Sequence, residues 1–160
     1  MITQKQVKEL FSYKDGKLIR KVTVAYNAKK GFEFGCDSSD GYLRGGICGK
    51  TYLIHRVVFL WHHGYLPEFL DHVDGNKQNN KIENLREASK SENSCNKVMQ
   101  SNNTSGVKGV YWNKKQKSWH CAIENNKKRY FVGSFKDLNQ AKNKMAQVRS
   151  KIHKEFANHG

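Results

Sequence analysis

The chain lacks any apolar run of the ~18 residues that reads as a membrane-spanning helix, so no segment of it is expected in a bilayer. Its first residues, MITQKQVKELF, lack the apolar stretch of a secretory leader. There are four cysteines, Cys36, Cys48, Cys95 and Cys121, but no CxxC pair, which excludes a zinc ribbon. Without a leader they are read as reduced thiols in a cytosol and given no role. Apolar residues are scarce as well: they make up 37% of the 160 residues, and the mean hydropathy is −0.83. They do cluster in segments, so a packed but thin core is expected. Scarcest of all, relative to their opposites, are the acids. Against 29 Lys and Arg stand 14 Asp and Glu, a net charge of +15.

Such an excess of cations points to a polyanionic partner, because each cation placed near a phosphate releases a counterion. The plain alternative is a soluble basic protein. The distribution sharpens the choice. Residues 106–160 hold 13 Lys/Arg against 3 Asp/Glu, a net +10, while residues 1–105 hold 16 against 11, a net +5. The imbalance argues for a separate binding module in the last third.

Residues 1–50 read as short strands and turns. Asp15-Gly16 sits between apolar flanks, a hairpin signal, and Cys48-Gly49-Lys50 has the same character. In IHRVVFLWHHGYLP the period changes: Val57, Val58, Leu60 and Trp61 share one side of a short helix that Gly64 and Pro67 end. A polar run follows, and then a brief strand at LREAS. Ser89 and Glu92 have the S-x-x-E spacing of a capping box, so a helix is expected from Lys90. The polar, uncharged QSNNTS at residues 100–105 is the expected linker. Beyond it, GVKGVYWNKK, SWHCAIENNKK and RYFVGSF predict three strands. Asp137 is the expected N-cap of a last helix whose stripe is Leu138, Ala141, Met145, Val148, Ile152 and Phe156.

The polar run, DHVDGNKQNNKIENL at residues 71–85, carries the chemistry. Hydrolysing a phosphodiester needs a base for the water and a cation for the charge on the leaving oxygen. His72 suits the first task near neutral pH. Asp71 and Asn93 offer the hard oxygen ligands that suit Mg²⁺. Neighbours on a strand point to opposite faces, so local twist or a bulge is expected to let Asp71 and His72 both reach the site. Asn93 falls in the first turn of the capped helix. An EF-hand is excluded, since counting such a loop from Asp71 or Asp74 ends on Ile82 or Leu85 rather than on glutamate. A merely turn-rich loop would explain the Gly and Asn content but not the Asp71-His72 pair with a capped helix downstream.

The stretch HRVVFLW…DHVDGNKQNNKIENLREASKSEN resembles the HNH endonuclease family in its phage and homing-type branch, over roughly residues 52–96. The resemblance implies a ββα-metal fold of two strands, a loop and a helix. It implies that Asp71 is the first metal ligand, His72 the general base and Asn93 the second ligand. Asn84 would brace the loop and orient the histidine, while Asp74, Gly75 and Asn80 hold loop positions. His55 matches a family position and is read as packing or capping. His62 and His63 are read as a solvated helix end, and His120, His153 and His159 as surface residues.

The segment SGVKGVYWNKKQKSWHCAIENNKKRYFVGSFKDLNQA resembles the APETALA/ethylene-response-factor-like DNA-binding domain, which implies a three-stranded sheet facing DNA with a helix behind it. Lys108, Tyr111, Trp112, Lys114 and Arg129 are the expected DNA contacts, with lysine-rich chemistry that favours phosphates over base readout. Trp119, Ile123, Phe131 and Phe135 are the residues that could instead cement sheet to helix. The closing EFANHG resembles the way phage versions end.

The expectation is therefore an α+β chain: a ββα-metal (His-Me finger) nuclease domain with an N-terminal β-rich extension at residues 1–99, a linker at 100–105, and a three-stranded antiparallel sheet plus one helix at 106–160. The expected activity is metal-dependent cleavage of double-stranded DNA with Mg²⁺ or Mn²⁺, with no membrane and no protein partner implied. By family analogy it would work as a homing endonuclease in the cytoplasm of a phage-infected host. Two rivals stand beside it: a DNA-binding regulator on a silent HNH fold, and a structural or RNA-binding basic protein.

Overall fold

The structure, a computed structural model, describes residues 2–95, 99, 102–125, 128–153 and 156–157. Of the residues singled out from the sequence, His159, Gln100 and Ser101 of the linker, and most of the C-terminal EFANHG lie outside these. The chain divides into two compact units, Met1–Ala88 and Ser89–Gly160. Both mix helices with small antiparallel sheets. No helix among the described residues is long and apolar enough to cross a membrane.

The first unit begins with a helix, α1 (Gln4–Leu10), where only strands and turns were expected. Its signal is short but present. Thr3 and Gln6 form a reciprocal capping box that satisfies two free backbone N–H groups, and Val7 turns into the core. The chain then forms the hairpin β1 (Phe11–Lys14) and β2 (Lys17–Arg20). Asp15 and Gly16 take the left-handed φ values of 48° and 86° that a tight two-residue turn demands. β3 (Cys36–Asp37), β4 (Leu43–Ile47) and β5 (Lys50–Leu53) form a meander, with Cys48-Gly49 making its second turn. Gly45 has no side chain for a reason: a Cβ there would lie 2.3 Å from the Phe34 ring. That ring fills the space and stacks on Phe11 at 4.4 Å.

Helix α2 (Ile54–His63) lies in the middle of this core and ends on left-handed Gly64. The expected stripe is buried at Val57, Val58 and Leu60, and Trp61 is half-buried; Ile54, His55 and Phe59 are buried too, so core surrounds more of the helix than one stripe. His62 is not a solvated end: it packs on Tyr13 and Trp61. The hairpin β6 (Phe69–His72) and β7 (Leu85–Ala88) closes the unit, with a 3₁₀ turn at Ile82–Asn84 before its second strand.

The second unit opens with α3 (Lys90–Cys95), started by the expected box: Ser89 N–H donates to Glu92 Oε2 at 2.7 Å, and Glu92 N–H to Ser89 Oγ at 3.2 Å. The division of the chain thus falls before α3, ahead of residues 100–105. Ser105, within that polar run, is buried and donates to the carbonyls of Val107 and Val110, which ties the end of the run to the following strand. Then come β8 (Val110–Asn113), β9 (Ser118–Asn125) and β10 (Lys128–Phe135) in the order β10-β9-β8. Helix α4 (Leu138–His153) starts where expected, with Asp137 Oδ1 accepting from Gln140 N–H at 2.8 Å. Its Ala141 and Met145 pack with Val110, Cys121 and Ile123. Arg149 interrupts the polar face of α4 by being buried, and it donates to the Lys108 carbonyl.

Gly109 sits where backbone and core come closest. Its φ is +73°, and a Cβ would lie 2.2 Å from the Ala122 carbonyl oxygen and 2.7 Å from Met145 Cε. Left-handed strain and overpacking then add, so Gly109→Ala should destabilise the second unit by about 3 kcal/mol. Urea unfolding followed by Trp112 and Trp119 fluorescence checks this, and an unchanged midpoint would refute it.

Candidate active site

The β6–β7 hairpin pairs Asp71 with Arg86 and His72 with Leu85 in continuous register. The bulge anticipated from the sequence is absent, and the two residues sit at the very end of β6, with His72 its last residue. The loop between the strands is tied by one side chain. Asn84 Oδ1 accepts from Asp74 N–H at 3.1 Å, while its Nδ2 donates to Asp74 Oδ1 at 3.0 Å and to the Asn79 carbonyl at 2.8 Å. Val73 N–H donates to the Asn84 carbonyl at 2.9 Å, and Gly75, at φ 72°, lets its own N–H return to the His72 carbonyl. Burial works to raise the Asp74 pKa, but hydrogen bonds from Asn79, Asn84 and the Asn76 backbone outweigh it and hold the carboxyl below its usual range.

This bracing puts Asn80 under the catalytic histidine. Asn80 is 2% exposed, and its Oδ1 lies 3.0 Å from His72 Nε2. With the amide oxygen as acceptor, Nε2 carries the proton and Nδ1 keeps the lone pair, the tautomer a general base needs. Asn84 therefore braces the loop as expected, and Asn80 bonds the histidine ring. His55 packs edge-on against His72 at 4.9 Å. Burial, then the His72 and Arg56 charges, lower the His55 pKa to about 3, so it stays uncharged.

Asp71 is buried, and Arg86 Nη2 and Nε both reach its Oδ2, at 2.9 and 3.1 Å. Tyr42 is a common neighbour of both reactive residues. Its ring lies 6.1 Å from that of His72. Burial and the negative charges of Asp40 and Asp71 raise its pKa. Lys77 Nζ sits over the Tyr42 ring at 4.7 Å. Asp71 and His72 therefore converge on one region of the first unit despite alternating along the strand.

An HNH endonuclease family model matches residues 52–95, the segment holding α2, the hairpin and α3. Protein 3.8 of Escherichia phage T7 is 33% identical over 106 residues, which are 64% of this chain and 87% of that protein. The chain belongs to the family of this phage protein, and it carries an HNH endonuclease domain. No solved structure matches.

Within the HNH domain the order strand, loop, strand, helix is present in β6, β7 and α3. Asn93 lies in α3, half-buried, its N–H bonded to the Ser89 carbonyl at 3.0 Å. The two proposed ligands thus belong to different compact units. Among the described residues no three His, Cys, Asp or Glu side chains gather as a metal site. One carboxylate and one amide oxygen are nonetheless hard donors that suit Mg²⁺ or Mn²⁺, ions that take their remaining ligands from water and substrate phosphate. Arg86, Tyr42 and His55 were not assigned roles from sequence. Arg86 was within reach, because hairpin pairing sets it opposite Asp71; Tyr42 carried no local signal.

On the sheet of the second unit, register sorts the proposed DNA contacts. Tyr111 pairs with His120, and Ala122 with Phe131, so these share one face, with Val110, Cys121 and Ile123 on the other against α4. Arg129 caps the Tyr111 ring at 5.3 Å. Phe131 is 63% exposed and is not cement between sheet and helix, whereas Trp119, Ile123 and Phe135 are. His120 is not a surface residue: it is buried between Tyr111 and Phe131 and bonded to Gln116. His153 bonds the Glu124 carbonyl. Trp112 pairs with Trp119 and so lies on the helix side, half-exposed. Lys108 is half-buried before β8, and Lys114 is exposed in the β8–β9 turn.

The depressed His55 pKa has a consequence for stability. Between about pH 3 and 6.5 the unfolded chain binds a proton there that the folded chain refuses. His55 should therefore show no NMR titration between pH 5 and 8, and its contribution to stability should be lost progressively as pH falls below 6.5. A His55 ring that titrates near pH 6.5 would refute its burial as a neutral group.

Proposed function

We propose that this protein is a metal-dependent DNA endonuclease of the HNH homing type that hydrolyses phosphodiester bonds in duplex DNA. The observation that carries the reading is the pairing of His72 with Asn80, which leaves Nδ1 as the proton acceptor at the end of a strand that also bears Asp71. In the proposed reaction, His72 Nδ1 takes the proton from the water that attacks phosphorus. Asn80 steadies the ring as it becomes charged, and Asn84 keeps the loop from relaxing away from it. Asp71 and Asn93 would hold one Mg²⁺ or Mn²⁺, which when bound supplies positive charge at the 3′ leaving oxygen. The product would carry a 5′ phosphate, as the family implies.

The second unit is the proposed anchor, and its resemblance to the APETALA-like sheet-and-helix domain is part of that proposal. Its basic excess, together with Tyr111 and Arg129 on the open face of the sheet, supports duplex binding through phosphates and planar contacts; Lys108, Trp112 and Lys114 are further proposed contacts. The setting would be the cytoplasm of a phage-infected bacterium. One observation favours the rival regulator on a silent fold: Arg86 holds the carboxylate that the cation needs.

Supercoiled plasmid and linear duplex, incubated with and without Mg²⁺, separate these readings. His72→Ala should lower the cutting rate by about 10²–10⁴-fold while duplex affinity stays nearly intact; equal cutting would sink the base assignment. Asp71→Ala should remove activity together with its Mg²⁺ dependence, and retained Mg²⁺-stimulated cutting would refute that ligand. Tyr111→Ala and Arg129→Ala should each weaken duplex affinity about tenfold, with cutting at saturating DNA unchanged. Unaltered affinity in a filter-binding assay would remove the open sheet face from the interface.

A further inference from the structure

We propose that Arg86 makes metal loading depend on DNA: paired with Asp71 in the free protein, it withholds the carboxylate until a backbone phosphate draws its guanidinium away. This deepens the nuclease reading and rests on it.

The pair is built into the fold. Asp71 and Arg86 are direct cross-strand partners in the β6–β7 register, so the guanidinium meets the carboxylate wherever the hairpin forms. Two nitrogens converge on one oxygen, Oδ2, at 2.9 and 3.1 Å. Both groups are shielded from water, with side-chain exposures of 17% for Arg86 and 8% for Asp71. The pair is therefore weakly screened, and a dication that takes Asp71 alone strands a guanidinium beside it. The surroundings offer a cation little help, since no cluster of three anionic, thiol or imidazole ligands exists among the described residues. Free protein should consequently bind a divalent ion weakly.

DNA changes this balance. Guanidinium recognises phosphate with the same forked geometry as carboxylate. Arg86 is the more exposed member of the pair, so an incoming phosphate meets it before it meets Asp71. Once the guanidinium is shared with phosphate, Asp71 is released to the cation, and the phosphate itself adds negative charge and an oxygen ligand. By linkage, DNA strengthens metal binding by the factor by which metal strengthens DNA binding. A purely structural ion pair would predict the reverse sign for its removal, because a disordered Asp71 would bind metal less well.

The test is calorimetric Mn²⁺ titration of the full chain carrying His72→Ala, which keeps the DNA intact, with and without a short duplex. The parent should bind Mn²⁺ at least about tenfold more tightly with duplex present. Adding Arg86→Gln should raise the affinity of the free protein for Mn²⁺ and shrink the duplex effect to within about twofold. Arg86→Lys keeps a charge without the fork and should fall between them, which also serves if the glutamine variant does not fold by circular dichroism. Equal Mn²⁺ affinity of the parent with and without duplex would overturn the proposal. So would folded Arg86→Gln protein that binds Mn²⁺ no better than the parent. Either result, in a protein whose native His72 form still cuts plasmid with Mn²⁺, sinks the Arg86 proposal alone. No cutting by that native form sinks the nuclease reading itself.

Discussion

The amide of Asn84 closes the loop on which the catalytic arrangement depends. A single side chain satisfies the Asp74 N–H, one Asp74 carboxylate oxygen and the Asn79 carbonyl, three groups that would otherwise be left without partners in a partly buried turn. Because this clamp draws residues 74 and 79 together, Asn80 comes under the His72 ring and bonds it. The tautomer of the base, and so its ability to accept a proton, is thus set by a loop path rather than by residues adjacent to the histidine. Amides suit the task, since they donate and accept together without adding charge beside a group that must change its own.

Charge around this site is sparse and balanced. Asp71 is matched by Arg86, Asp74 is held ionised by amide and backbone donors, and His55 is kept neutral by burial. The cationic surplus resides instead in the second unit, where Arg129 lies over Tyr111 on the sheet face away from α4. A division of labour between a nearly neutral reactive centre and a basic anchor follows from this placement: long-range attraction belongs to one unit and short-range chemistry to the other.

Elements with local signatures were legible in the sequence. Asp15-Gly16, the Ser89–Glu92 box, Asp137 and the spacing of Leu138, Ala141 and Met145 all appear in the structure where the residues pointed. Helix α1 had such a signature too, in Thr3 and Gln6, but one short box among strand-like turns was overlooked. What was not legible depends on long-range register and approach. Whether Asn80 or Asn84 reaches the histidine depends on the loop path, since both are asparagines in the same polar run. The sides taken by Phe131 and Trp112 depend on pairing and on the irregularity between Phe131 and Gly133. Tyr42 reaches His72 from a distant strand start, with nothing in its neighbours to announce it.

The catalytic loop is also bolted to parts of the chain far outside the family match. Ile82 N–H donates to the Tyr13 hydroxyl, Lys81 pairs with Asp15, Gln78 with Asp37, and Lys77 with the Asp40 carbonyl. These fastenings all precede residue 52, where the HNH match begins. Dissecting the protein at the edges of that match would leave the histidine-bearing turn without its moorings. The smallest autonomous cutter is thus larger than its recognisable motif, and grafting the motif onto another scaffold would transplant the reactive groups without the frame that aims them.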